Sequence, residues 1–575
     1  PAGRTGKVLT WYIEPNSVKD WIREPNIGFS QVGYTPAQSK VAVIELDANF
    51  KSRPKAELWK IEPDGSHNRV LRAATTEWGR YFKYDYCHFD FSQVKEPGLY
   101  YIKYNGLNSG TFIIGEDVYD HVADATNDIW IPVHMNHIAV NEAYRMWHGV
   151  PFREGYFQAP ESDHFDYHWQ GPLTDTPYKA HELIPGLDTG GFFDAGDFDM
   201  ETGSTATVVQ NLVRYWDLKG AMRDQTFVSY EKQYVDLHRP DGIPDVLQYI
   251  KHGTLNLVAQ VERLGYAAVA LSNSVLDKYH HLGVAASITD GIPGNGDDMG
   301  AFTSRNPMLD LRVAATLAAA SRALKDYDGN LAGRALVQAE KLWCSALPLL
   351  DSYDSSMPLS GQHDELSLNG FPDVPAAIQL YAATGKTEYR DIFLKRIWQA
   401  LDTRLPMALQ PALDAIPFLD GEFKSEMRPY VHAYAKYIDS LETDNPYGVP
   451  IDLGGWAGSA AIADFGTVVC YANHYYPYLV ERDNVYKAAG WLFGCHPYHN
   501  YSLVAAVGAA RPKQVFYGSN RADFSVIPGN VAPGILLHRP DHFENMDDWP
   551  FFWAENEGTI VSNTSYLIFA KVLDK

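Results

Sequence analysis

Residues 190–199 read Gly-Gly-Phe-Phe-Asp-Ala-Gly-Asp-Phe-Asp, and two of the carboxylates in this run are spaced for joint work. Asp194 and Asp197 are separated only by Ala195 and Gly196, small residues that let the backbone turn tightly and carry both carboxylates to one side. A pair so placed can hold one water molecule from two directions. Phe192, Phe193 and Phe198 would wall the loop with apolar surface, and residues 200–220 read as a helix with a buried face that anchors it. Loops of this composition also bind calcium or cap helices, so the spacing alone leaves those readings open.

A second candidate group lies near the C-terminus, in Trp553-Ala554-Glu555-Asn556-Glu557-Gly558, ahead of a helix expected over 565–572. A glutamate among Phe551, Phe552 and Trp553 is poorly solvated, and desolvation raises a carboxyl pKa, which keeps the group protonated near neutrality. An ionised aspartate pair with a protonated glutamate is the equipment for inverting glycoside hydrolysis, in which acid and base stand roughly 6.5 to 9.5 Å apart to admit a water. A glutamate before a helix is also favoured by the helix dipole alone.

These residues need a rigid frame, and the apolar pattern supplies one. Residues 27–114 carry short alternating or β-branched runs, such as Lys40-Val41-Ala42-Val43-Ile44 and Leu99-Tyr100-Tyr101-Ile102, divided by turns like Pro63-Asp64-Gly65. That spacing predicts an immunoglobulin-like β-sandwich. From 115 to 575 the period becomes helical, with helices expected over 119–141, 202–219, 243–263, 310–327, 331–346, 375–383, 388–401 and 465–482 and long loops between them. The reading is a mainly α fold in which helices give rigidity and loops carry chemistry. The small-residue run 314–323 fits a helix packed on all sides. Residues 1–26 form an N-terminal arm whose Trp11, Tyr12 and Trp21 make it too aromatic for a free tail. Together with Trp59 they predict that arm and sandwich pack on the helical domain and close one end of its cleft into a pocket.

The 575 residues are 46% hydrophobic, enough for at least one large core. The formal charge of -23 argues against nucleic acid or an anionic membrane as partner. Cys87, Cys344, Cys470 and Cys495 are scattered, with no Cys-x-x-Cys pair, so neither a zinc site nor a disulfide framework is expected and a reducing, cytoplasmic location is the first reading. No apolar run is long enough to span a membrane. The chain starts at Pro1 rather than Met, which leaves room for a removed leader. No cofactor or metal is expected.

Asp194-Ala195-Gly196-Asp197, Asn556-Glu557 and Asn563 together resemble glycoside hydrolase family 9. The resemblance runs along almost the whole chain. Ser30-Gln31-Val32-Gly33-Tyr34 is similar to the start of that family's N-terminal domain, and Asp241-Gly242-Ile243-Pro244-Asp245-Val246-Leu247 to a segment that opens a barrel helix. Leu380-Tyr381-Ala382-Ala383-Thr384-Gly385 and Asn445-Pro446-Tyr447-Gly448-Val449-Pro450 also match. The resemblance implies an (α/α)6 barrel behind the sandwich, an inverting mechanism and β-1,4-linked glucosyl or glucosaminyl substrates. It implies Asp197 as general base, Asp194 as its partner in holding water and Glu557 as general acid.

Two departures bear on substrate. Where family endoglucanases carry a His-His-Arg segment, residues 511–518 read Arg-Pro-Lys-Gln-Val-Phe-Tyr-Gly, and residues 136–149 resemble the branch of exo-acting β-glucosaminidases. The expected activity is therefore release of glucosamine from the non-reducing end of chitosan-type oligosaccharides, with Glu142 or Glu555 facing the amino group and Trp553 and Tyr517 contacting sugar. The alternatives are a β-glucosidase, cellobiase or endo-β-1,4-glucanase on the same scaffold, and a non-catalytic carbohydrate-binding protein whose Asp loop holds calcium.

Overall fold

The computed structural model describes residues 6, 9–161, 170–195, 199–218, 220–273, 292, 298–352, 371–453, 457–508, 527–537 and 553–574. Nine strands make the N-terminal domain: β1 (Asn26–Gly28), β2 (Val41–Asp47), β3 (Ala56–Ile61), β4 (His67–Ala73), β5 (Thr76–Tyr81), β6 (Tyr84–Asp90), β7 (Gly98–Tyr104), β8 (Leu107–Asn108) and β9 (Phe112–Ile114). They form two antiparallel sheets, one ordered β1-β2-β6-β5 and the other β4-β3-β7-β8 with β9 also on β7. Phe112 sits at the centre of the core, touching Phe29, Tyr34, Phe91 and Tyr100. A large side chain fully buried in this way contributes about 1.5 to 3 kcal/mol.

The alternation of β2 explains how the sandwich is mounted. Ala42, Ile44 and Leu46 enter the sandwich core, while Val43 joins the core of the helical domain. Glu45, on the same side as Val43, is completely buried. It accepts from Tyr86 Oη at 2.7 Å and from Tyr498 N at 3.3 Å, and pairs with Arg23. Trp78 Nε1 donates to the Glu442 carbonyl at 2.8 Å, and His88 Nε2 to that of Pro446 at 2.7 Å. A cavity of about 660 Å³ lies at this junction, and none of its lining residues comes from the Asp194 loop or the Glu557 turn.

The arm departs from expectation. Residues 9–22 form no helix or strand, and Trp11, Tyr12 and Trp21 are 79%, 94% and 64% exposed. Among the described residues of the arm, attachment begins at Arg23, whose N–H donates to Asp47 and whose guanidinium reaches the Tyr498 carbonyl. Trp59 is stacked on Tyr101 and covered by Lys103 on the sandwich itself. The expected closing of a pocket by these aromatics is therefore corrected: the arm lacks the repeating apolar pattern that would match it to a surface.

The rest of the chain is mainly helical: α1 (Ile131–Val133), α2 (Thr202–Asp217), α3 (Asp245–Leu264), α4 (Pro307–Leu324), α5 (Gly329–Ala346), α6 (Asp373–Thr384), α7 (Thr387–Ala415), α8 (Gly421–Glu426), α9 (Arg428–Asp444), α10 (Ser459–Tyr475), α11 (Asp483–Leu492) and a C-terminal helix, Ile560–Leu573. Local chemistry marks several ends. Asn306 caps α4 by accepting from Met308 N and Leu309 N, Asp328 caps α5 through Leu331 N, and Gly265 ends α3 in the left-handed region. Ala314, Ala315, Ala318, Ala319 and Ala320 are all buried, as the small-residue run predicts. Helix α2 packs on α3, α4 and the C-terminal helix, which also packs on α10.

Three sequence expectations fail here. The helix expected over 119–141 is a π-helical turn, Thr126–Trp130, followed by α1. The chain then leaves the helix because the His134 and Asn136 backbones pair with Phe193 and Gly191. The helix expected over 465–482 is cut short, since α10 ends at Tyr475 ahead of Pro477 and α11 begins only at Asp483. Two small sheets also interrupt the domain expected to be purely helical. One contains β10 (Ala139–Glu142), β11 (Arg145–His148), β15 (Thr226–Ser229) and β16 (Tyr234–Leu237). The other contains β12 (Tyr156–Gln158), β13 (Leu183–Ile184), β14 (Met200–Glu201), β17 (Ala270–Asn273) and β18 (Met299–Phe302).

Candidate active site

The Asp194 loop is held by its backbone. Phe193 N donates to His134 O, Asn136 N to Gly191 O and Gly191 N to His252 O, so the loop is clamped between the 134–136 segment and α3. Gly190 and Gly191 make this approach feasible. Both have positive φ, and a Cβ would stand 2.2 Å from His252 O at Gly190 and 2.3 Å from Met200 Sδ at Gly191. Beneath them lie two buried histidines. His137 donates from Nδ1 to Gly190 O at 2.6 Å and meets Tyr156 Oη through Nε2 at 2.8 Å, and His252 donates from Nε2 to Asn136 O at 3.0 Å. Burial is the main cause that lowers their pKa values, to about 4 for His137 and about 3 for His252, so both are neutral scaffold groups at neutral pH.

Asp194 N closes the loop onto Asp199 O at 2.8 Å. The Asp194 Oδ1 atom is buried with no hydrogen-bond partner among the described residues. Its backbone carbonyl accepts from Ile560 N at 2.8 Å, at the start of the C-terminal helix. Thr559 caps that helix through Ser562 N, and Glu557 lies just ahead of the cap, half-buried. The bond to Ile560 thus brings the two ends of the candidate machinery together. Three residues of chain reach at most about 11 Å, so the Glu557 backbone lies within that distance of Ile560.

Asp197 and Tyr517 lie outside the described residues, as does the Trp553 side chain. Trp553 opens the short helical turn Trp553–Asn556 that leads into Glu557. Glu142 is on β10, where Oε2 accepts from Trp147 Nε1 at 2.8 Å and Oε1 meets His238 Nε2 at 3.0 Å. Glu555 is 1% exposed and accepts from Leu536 N at 3.1 Å, bracing the 534–536 segment against the turn.

Other residues shape the site: Asn563 and Asp245 belong to motifs already read in the sequence, whereas Asn256 and Asn127 have no local signal there. Asn256 Nδ2 donates to Thr189 O at 3.1 Å and supports the approach to the loop. Asn563 Nδ2 donates to Thr559 O at 2.8 Å and its Oδ1 accepts from Val531 N at 3.0 Å. Asn127 Nδ2 and Thr226 N both donate to Asp245, whose carboxyl is pushed up to about 7, chiefly by burial. That carboxyl opens α3 within the Asp241–Leu247 motif.

Residues 153–570 match the glycosyl hydrolase family 9 model, and residues 23–109 match the cellulase N-terminal ig-like domain. A xyloglucan-specific endo-beta-1,4-glucanase, BoGH9A, of Bacteroides ovatus is 23% identical over 606 residues, covering 95% of this chain and 93% of that protein. A cellulose 1,4-beta-cellobiosidase of Acetivibrio thermocellus is 24% identical over 413 residues, 67% of this chain but 43% of the relative, so the match spans less than half of that enzyme. Among solved structures, a Bacteroides ovatus GH9 protein superposes with a TM-score of 0.73 at 19% identity, covering 96% of this chain and 98% of that one. A metagenome-derived glycoside hydrolase family 9 endoglucanase gives 0.73 at 21%, covering 96% and 99%. The family model takes in both the loop that holds Asp194 and the turn that holds Glu557, and on that ground the chain belongs to glycosyl hydrolase family 9, with a cellulase-type immunoglobulin-like domain before its helical catalytic domain.

Proposed function

We propose that the protein is an inverting β-1,4-glucan hydrolase of endoglucanase type, with an (α/α)6 barrel whose inner helices carry the site at one end. Asp197 takes a proton from water while Asp194 holds that water from the other side. Glu557 gives its proton to the glycosidic oxygen, the bond from that oxygen to the anomeric carbon breaks, and the water oxygen bonds to the anomeric carbon from the opposite face. The observation that carries the reading is the bond from Ile560 N to Asp194 O, which sets the Glu557 turn beside an aspartate whose Oδ1 has no partner among the described residues.

Glucose-based substrates are favoured because the named relatives act on cellulose and xyloglucan. Amino-sugar specificity finds no support in them, and the two carboxylates considered for it, Glu142 and Glu555, already accept bonds within the protein. The test is to incubate the protein with cello-oligosaccharides, xyloglucan and chitosan oligomers and to follow early products by proton NMR. Glucose-based chains should be cleaved first and yield the α-anomer. Preference for chitosan oligomers would return the substrate to glucosamine, and a β-anomer would overturn the three catalytic roles.

A further inference from the structure

Asn530 is 1% exposed, and neither its Oδ1 nor its Nδ2 has a hydrogen-bond partner among the described residues. Burying an amide unpaired is destabilising, so its surroundings are informative. Its carboxamide lies directly against Gly558, the residue after Glu557: a Cβ built on Gly558 would stand 1.7 Å from Asn530 Oδ1 and 2.9 Å from Nδ2. Glycine at 558 is what admits the amide. The backbone around Asn530 is fixed, because Ala505 N donates to Asn530 O and Val531 N to Asn563 Oδ1, while Thr126 Oγ1 donates to Gly529 O. Asn563 in turn donates to Thr559 O. Two amides therefore meet the Glu557–Thr559 turn, Asn563 through a hydrogen bond already made and Asn530 through contact alone.

We propose that Asn530 is a positioning residue for Glu557: its carboxamide backs the Glu557–Gly558 turn and, with substrate bound, hydrogen-bonds to that turn and holds the carboxyl at the glycosidic oxygen. The inference rests on Glu557 being the general acid.

The test uses the full chain carrying Asn530→Ala or the isosteric Asn530→Asp, assayed on cellotetraose and on dinitrophenyl β-cellobioside, whose leaving group needs no proton. Asn530→Ala should lower kcat on cellotetraose roughly tenfold to a hundredfold with KM little changed, and should spare the aryl substrate. Asn530→Asp places a second buried carboxyl against the Glu557–Gly558 turn, so the two should share a proton and move the basic limb of the pH profile upward. Equal losses on both substrates, or an unmoved basic limb with only a lower Tm, would overturn the proposal and leave Asn530 as packing. Glu557→Gln is the control: if it too loses both substrates equally, the fault lies in the assignment of the acid rather than in Asn530.

Discussion

The proposed proton transfers by Asp197 and Glu557 make their substitutions act alike. Asp197→Asn and Glu557→Gln remove a proton transfer with little change in volume, so each should lower kcat by roughly a hundredfold to ten-thousandfold while the circular-dichroism spectrum and Tm stay close to wild type. Activity near wild type in either variant would end the assignment. Glu555 is two residues from Glu557 but is buried against Leu536 N, so Glu555→Gln should act through stability, lowering Tm while leaving the ratio of glucan to chitosan activity unchanged. At this scale the sequence was informative because the Asp194–Asp197 spacing and the Glu557 surroundings are local. Asn530 was illegible, since its meaning comes from contact with Gly558.

Among the elements, the loop at 190–195, the segment 134–136 and α3 act as one unit joined by His137 and His252. Both histidines are held below their ordinary value of 6.5, mainly by burial. Between that value and about 4 for His137, the unfolded chain binds more protons than the folded one, so their contribution to stability is complete above 6.5 and is lost as pH falls through about 4 and then about 3. Asp245 and Asp464, raised to about 7 and about 6 by burial, act in the opposite sense, so the useful readout is a difference. Wild type minus His137→Gln in Tm, measured from pH 7 to pH 4, should shrink with acidification. A difference independent of pH would show that His137 protonation is not coupled to folding. The helices here were largely readable, as α2, α3, α4 and α5 follow the apolar period and side-chain caps mark the starts of α4 and α5. The 134–142 segment was not, because its strand pairing with residues far along the chain overrides a helical pattern.

At the scale of the whole molecule, one sheet of the sandwich serves two cores. Glu45 is its most exacting residue, a fully buried carboxylate whose partners are Tyr86 on its own sheet, Arg23 at the root of the arm and Tyr498 in the helical domain. Removing one side of a buried charge pair typically costs on the order of 3 to 5 kcal/mol. Glu45→Leu should therefore lower the denaturant midpoint and let the sandwich unfold as a separate transition. A single unshifted transition would count against a coupling role for this carboxylate. By itself the sequence determined the order of sandwich then helices, the family, and the residue types of the proposed acid and water-holding pair, because alternation, helical period and short motifs are properties of neighbours along the chain. Only the tertiary structure decided that Ile560 would tie the Glu557 turn to Asp194, that β2 would face two cores, and that Trp11, Tyr12 and Trp21 would stay exposed. Each of these depends on which surfaces meet in space, and an isolated run of residues carries no record of its distant partner.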